Sequence, residues 1–166
     1  MTLKNKKIKI AFAVTTRGNY AKIKRLLELV SKSKKFESIV ILGGMIVLEK
    51  YGRILDVINN KNFKVVNNVN YVVEGESLLS MTKSSGLACL EFANIFNNSK
   101  PDVLVLIGDR FECLPIAMTA SYMNISIAHI EGGEISGSID EKIRHAITKL
   151  SDYHFVCSRQ ARKNVI

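Results

Sequence analysis

The sequence is poor in residues that punctuate or staple a chain: it has no tryptophan, two prolines, three cysteines and 7% aromatic residues among 166. So little proline, with no low-complexity tract, argues against a disordered or linker-like protein, and no repeat of solenoid length occurs. Cys89, Cys113 and Cys157 are odd in number and scattered, and none belongs to a C-x-x-C pair. That pattern speaks against a disulfide framework and a thiolate zinc site; the three read as buried, reduced thiols. The first apolar stretch runs only from Ile10 to Val14 before Thr15, Thr16 and Arg17 interrupt it, too short for a signal peptide. No stretch approaches the ~18 apolar residues of a spanning helix, so a cytoplasmic protein with no membrane partner is expected.

Several motifs are also missing. There is no G-x-G-x-x-G after a strand and no Walker A lysine loop, so a dinucleotide fingerprint and a P-loop are absent. No nucleophile elbow accompanies a Ser-His-Asp order, and Cys113 has no neighbouring base, so covalent catalysis has no support. No cofactor and no metal are expected.

What the chain does have is apolar content, 47% of its residues, and a net charge of +9. The length suits one compact domain over residues 1–166. The charge invites an anionic partner, but Lys4, Lys6, Lys7 and Lys9 crowd the terminus, while Lys32, Lys34 and Lys35 sit where a helix should end, a position favoured by its dipole. No basic run is interleaved with aromatics, so nucleic acid is not an expected partner.

Short apolar runs alternate with segments of helical period, the pattern of a parallel sheet covered on both faces. Strands are predicted at Ile8 to Val14, Ser38 to Leu42, Phe63 to Val73, Val103 to Ile107, Ile125 to Ile130 and Tyr153 to Cys157. Between them the spacing predicts helices over Tyr20 to Lys35, Leu48 to Ile58, Leu78 to Phe96, Cys113 to Met123 and Ile139 to Leu150, with a helical turn opening before Ile166. The first should bury Tyr20, Ile23, Leu26, Leu27 and Val30 on one stripe. Six strands joined by right-handed crossovers give an α/β, Rossmann-like, doubly wound sheet in the order 3-2-1-4-5-6. Its ligand crevice lies outside the carboxyl ends of strands one and four.

The residues following each apolar run are polar. Thr15-Thr16-Arg17-Gly18-Asn19-Tyr20 opens a helix whose free N–H groups can hold an anion. Arg17 then reads either as a ligand for phosphate or carboxylate or as a surface arginine beside an Asn19 cap. Asp109 follows strand four and Glu131 follows strand five, two carboxylates on adjacent strand ends. Acids placed directly after buried runs are candidates for acid or base work; the competing readings are a helix cap for Asp109 and a solvated loop residue for Glu131. Gly132-Gly133 removes side chains where something can approach the backbone. Ser138-Ile139-Asp140-Glu141 has the form of a capping box, and Asp140 suits a first helical turn. Arg144 and His145 lie one turn on, within reach of the crevice that Asp140 would face. Carboxylates opposite a phosphate-friendly loop suit proton transfer on a phosphorylated or nucleotide-linked small molecule.

The strings Gly108-Asp109-Arg110-Phe111-Glu112, His129-Ile130-Glu131-Gly132-Gly133-Glu134 and Ser136 through Leu150 resemble the hydrolysing UDP-N-acetylglucosamine 2-epimerases of sialic acid synthesis. The similarity runs from strand one to Ile166. It implies the N-terminal domain of a two-domain glycosyltransferase-B-type fold, with the UDP-sugar between the domains and the C-terminal, uridine-holding domain absent from this chain. It further implies that Asp109, Glu131 and Asp140 serve proton removal at C2 and water addition, and that Arg17 and Arg110 contact the phosphates. Gly132, Gly133 and His145 would be further substrate contacts. Such a half alone should be inactive, and a homo-oligomer is expected. The alternatives are a non-catalytic binding module for a phosphorylated ligand or protein partner, and the same chemistry on a UDP-diacetamido sugar.

Overall fold

The computed structural model describes residues 6–51, 58, 65–75 and 77–166. Six parallel strands form one sheet: β1 (Ile8–Val14), β2 (Phe36–Gly43), β3 (Val65–Val69), β4 (Val103–Ile107), β5 (Ser126–Ile130) and β6 (Tyr153–Phe155). Their order is β3-β2-β1-β4-β5-β6, as the alternation of apolar runs and helical segments predicts. The helices whose bounds lie within the described residues are α1 (Arg17–Lys32), α2 (Leu78–Ser99), α3 (Cys113–Tyr122), α4 (Ile139–Leu150) and α5 (Arg159–Val165), with short 3-10 turns at Gly44–Val47 and Glu49–Tyr51. Most of the helix expected over Leu48 to Ile58 falls outside the described residues.

Because strand side chains alternate in direction, the sheet divides the core in two. On one face Ala11, Ala13, Ile39, Ile41, Leu104 and Leu106 pack with Ala88, Phe92 and Phe96 of α2, Ile116 and Ala117 of α3 and Ile147 of α4. On the other, Phe12, Val14, Val40, Leu42, Val105 and Ile107 pack with Tyr20, Ile23, Leu27 and Val30 of α1. Leu26, expected on that stripe, is 39% exposed. It sits one position off the Ile23 and Leu27 line, which already fills the sheet face.

Several boundaries move for physical reasons. Helix α1 begins at Arg17, three residues earlier than expected, because Thr16 is the cap and its hydroxyl accepts from the Asn19 N–H at 3.1 Å. Asn19 is therefore a first-turn residue and not the cap. Strand β3 pairs with β2 through Val69 only, and Tyr71 beyond it turns into the core, edge to face with Phe92 at 6.2 Å. β6 ends at Phe155, and Cys157 beyond it is exposed, against the expectation of a buried thiol. Cys89 is half-buried and Cys113 fully buried.

Candidate active site

The crevice forms where β1 and β4 part company toward different neighbours. Asn19 crosses it, its amide nitrogen donating to Thr15 Oγ1 at 3.1 Å and to the Ile107 carbonyl at 3.3 Å. Beyond β4 the chain turns at Gly108, whose φ of +81° is left-handed, and this turn delivers Asp109 and Arg110 to the strand end. Beyond β5, Glu131 itself holds φ at +69°, a conformation that costs a residue with a Cβ about 1 kcal/mol or more. Its N–H donates to Phe155 O at 2.8 Å, which continues the ladder and fixes the turn.

Asp109 and Glu131 line one cavity of about 280 Å³, together with Gly108, Glu134, Arg144 and Cys157. Asp109 is not a cap: the residue preceding α3 is Glu112, and the Asp109 carboxylate is instead ion-paired to the buried guanidinium of Arg144. Arg144 also donates to the Glu134 carbonyl and, at 3.4 Å, to Ser136 Oγ. One helical arginine thus ties the acid after β4 to the loop after β5. Glu131 accepts from Lys22 Nζ of α1 at 2.6 Å, with both groups partly exposed. The first carboxylate is held from inside and the second from outside.

Beneath them lies His129, fully buried on β5. Nε2 stands 2.9 Å from the Gly108 carbonyl, which can only accept, so Nε2 carries the proton and Nδ1 faces Thr148 Oγ1 at 3.4 Å. Burial holds this imidazole below the usual histidine range, only partly offset by the Gly108 bond. The His129 ring therefore supports the turn that carries Asp109.

The remaining predicted residues are placed differently. Asp140, half-buried in the first turn of α4, does not line the 280 Å³ cavity; its charge reaches Arg110. Arg110 lines a second cavity of about 560 Å³ with Phe111, Met45, Val73 and Ser84. Arg17 is exposed at the start of α1. His145 lines neither cavity and lies 3.7 Å from Glu141 on its own helix.

The glycine pair is closely approached, as its lack of side chains allows, whereas the capping box departs from the expected pairing. A Cβ on Gly132 would sit 3.0 Å from His129 Nδ1 and from Thr148 Oγ1, and one on Gly133 would run into the Ala161 carbonyl. What approaches these glycines is the protein's own β5 histidine and α5. Ser138 is the cap position of α4 but makes no side-chain cap bond, and Glu141 accepts from Ser136 N at 2.7 Å and Gly137 N at 2.5 Å. Those two hydrogen bonds, Gly137's the stronger influence, hold its carboxyl below the usual glutamate range. The box is displaced outward because Gly137, at φ +72°, folds the loop so that its N–H groups meet the carboxylate first. Sequence reasoning placed Arg144 near the crevice through its one-turn spacing from Asp140. It gave no site role to Lys22, Glu134 or Cys157, which join the site only through the fold.

Comparison with known proteins identifies the family and the fold. The family model described as UDP-N-acetylglucosamine 2-epimerase matches residues 28–166. The UDP-N,N'-diacetylbacillosamine 2-epimerase (hydrolyzing) of Legionella pneumophila is 34% identical over 95% of this chain and 42% of its own length. The GDP/UDP-N,N'-diacetylbacillosamine 2-epimerase (hydrolyzing) of Campylobacter jejuni is 31% identical over 96% of this chain and 42% of its own. The crystal structure of the Methanocaldococcus jannaschii UDP-GlcNAc 2-epimerase in complex with UDP-GlcNAc and UDP superposes with a TM-score of 0.81, at 23% identity, over 95% of this chain and 42% of that one; at that identity it speaks for the shared fold. The chain spans about 42% of the length of the curated relatives it matches. With the strand-end acids, the buried arginine behind them and a family match over most of its residues, the chain belongs to the UDP-N-acetylglucosamine 2-epimerase family.

Proposed function

We propose that this chain is one domain of a two-domain hydrolysing 2-epimerase acting on a UDP-2-acetamido sugar, and that the substrate lies against the ends of β4 and β5. One carboxylate takes the proton from C2 while the C1–O bond to UDP breaks, leaving a 1,2-unsaturated sugar. Water then adds, hydroxyl to C1 and proton to the opposite face of C2. From UDP-N-acetylglucosamine the products are UDP and N-acetylmannosamine.

The observation that carries this reading is that Asp109 and Glu131 line one small cavity, with a buried arginine anchoring Asp109. Two acids on one sugar-sized hollow suit a reaction that removes and returns a proton. Asp140 and Arg110, coupled through their charges, form the outer part of the site, where the leaving diphosphate is held. The domain alone supplies one wall, and positioning from one side forfeits most of the advantage of a closed site.

A second reading concerns the sugar. Both relatives described above carry the name of a diacetamido substrate, and the same acids serve it equally. The test is product analysis of the protein joined to a second domain, offered UDP-N-acetylglucosamine and UDP-N,N'-diacetylbacillosamine in separate reactions. UDP release with C2-inverted free sugar from one of them is expected, and Asp109→Asn should lower that rate by about 100-fold or more. Unchanged turnover in the variant removes Asp109 from the mechanism.

A further inference from the structure

A carboxylate as buried as Glu112, 1% exposed, is ordinarily ringed by donors. This one is not. It immediately precedes α3 in helical conformation and makes no side-chain bond to that helix. Oε1 accepts from Arg110 Nε at 2.8 Å, whereas Oε2 is buried with no partner among the described residues. The Tyr71 hydroxyl is likewise buried and unpartnered, and its phenol is pushed above the usual range by burial first and the Glu112 charge second. Tyr71 is seated there by Gly43 and Gly44: a Cβ on the former would lie 2.7 Å from its ring, and one on the latter 2.8 Å from its hydroxyl.

As a device for stability this arrangement is poor. The Arg110 side chain is 43% exposed, so its charge could remain in water without help, while the carboxylate pays the full desolvation. What the pair fixes is direction. With Nε engaged, rotation of the planar guanidinium is stopped, and no group among the described residues takes Nη1 or Nη2. Phe111 backs the guanidinium, its ring 6.0 Å from Cζ, and the open side is the 560 Å³ cavity.

We propose that Glu112 is a positioning residue: its buried carboxylate grips Arg110 by Nε so that Nη1 and Nη2 form a fixed two-pronged donor for the diphosphate of a nucleotide sugar. The ligand class rests on the functional reading above; the grip rests on the geometry alone.

The test uses the whole 166-residue chain labelled with 15N at arginine. In the wild type the Arg110 Nε–H proton should exchange with water at least about tenfold more slowly than that of exposed Arg17, as expected of a protected hydrogen bond. Titration with UDP should show affinity about tenfold weaker in Arg110→Lys and in Glu112→Gln, with the double variant no weaker than either single one, because the two act as a unit. A residue with only a packing role would shift the melting temperature and leave the affinity of the folded protein alone. Additive losses, or an Arg110 proton exchanging as fast as that of Arg17, overturn the inference while UDP binding keeps the functional reading alive. A wild-type chain that does not bind UDP even when joined to a second domain overturns both. Should Glu112→Gln fail to fold, the wild-type exchange measurement still decides.

Discussion

Arg144 is the residue on which the site most depends, although it lines the smaller cavity as an anchor for Asp109 and not as an acid or base. Its side chain is 8% exposed, and the guanidinium joins Asp109 to the Glu134 carbonyl and Ser136. Removing one partner of a buried ion pair strands the other. Arg144→Met should therefore lose about 3 kcal/mol in urea denaturation, and loss below about 1 kcal/mol would show that Asp109 finds water instead. His129 makes a separate prediction. Its folded pKa is depressed, so the unfolded chain binds the extra proton first. Stability should be flat above the usual histidine value of about 6.5 and fall as pH drops below it. Thermal melts of wild type and His129→Gln between neutral and mildly acid pH check this, since the variant should lack that slope. None of these partnerships was legible beforehand. Asp109 and Glu131 stood out because acids directly after buried runs are uncommon, but the arginine behind one and the lysine beside the other come from helices distant in sequence.

The elements were more readable than their ends. Five apolar residues from Val103 to Ile107 can only be a covered strand in a chain of this pattern, and β4 occupies those five. The six-strand order followed from the same alternation. Boundaries failed where a side chain competed for the backbone: Thr16 took the cap of α1 from Asn19, and Glu141 took loop N–H groups in place of the Ser138 partnership. The glycine pair is a different case, since a bare backbone invites a neighbour without saying which. In this fold it is α5 that docks there, with Asn164 Nδ2 donating to the Gly133 carbonyl at 2.7 Å. Gly133 has φ +83° and no room for a Cβ, so Gly133→Ala should destabilise by about 2 kcal/mol or more. Hydrogen exchange over Arg159–Val165 should rise first, and an unaltered protection pattern would mean that α5 is held by other contacts.

At the scale of the whole molecule, the sheet gathers its chemistry on one rim and leaves that rim open. Among the described residues no helix is long and apolar enough to cross a membrane, and the acids, arginines and both cavities lie along the strand ends. Because effective catalysis draws on groups fixed around the substrate, the 166-residue chain alone should turn over UDP-N-acetylglucosamine at least about 100-fold more slowly than the same chain joined to a second domain. Equal rates, measured as UDP released per molecule, would make one wall sufficient. The Asn19 bridge bears on why it should not be. By linking the Thr15 hydroxyl to the Ile107 carbonyl, it bolts the threshold of the sheet where a doubly wound fold otherwise gapes. A guest molecule is thereby kept out of the gap between β1 and β4 and is met by the strand tips instead.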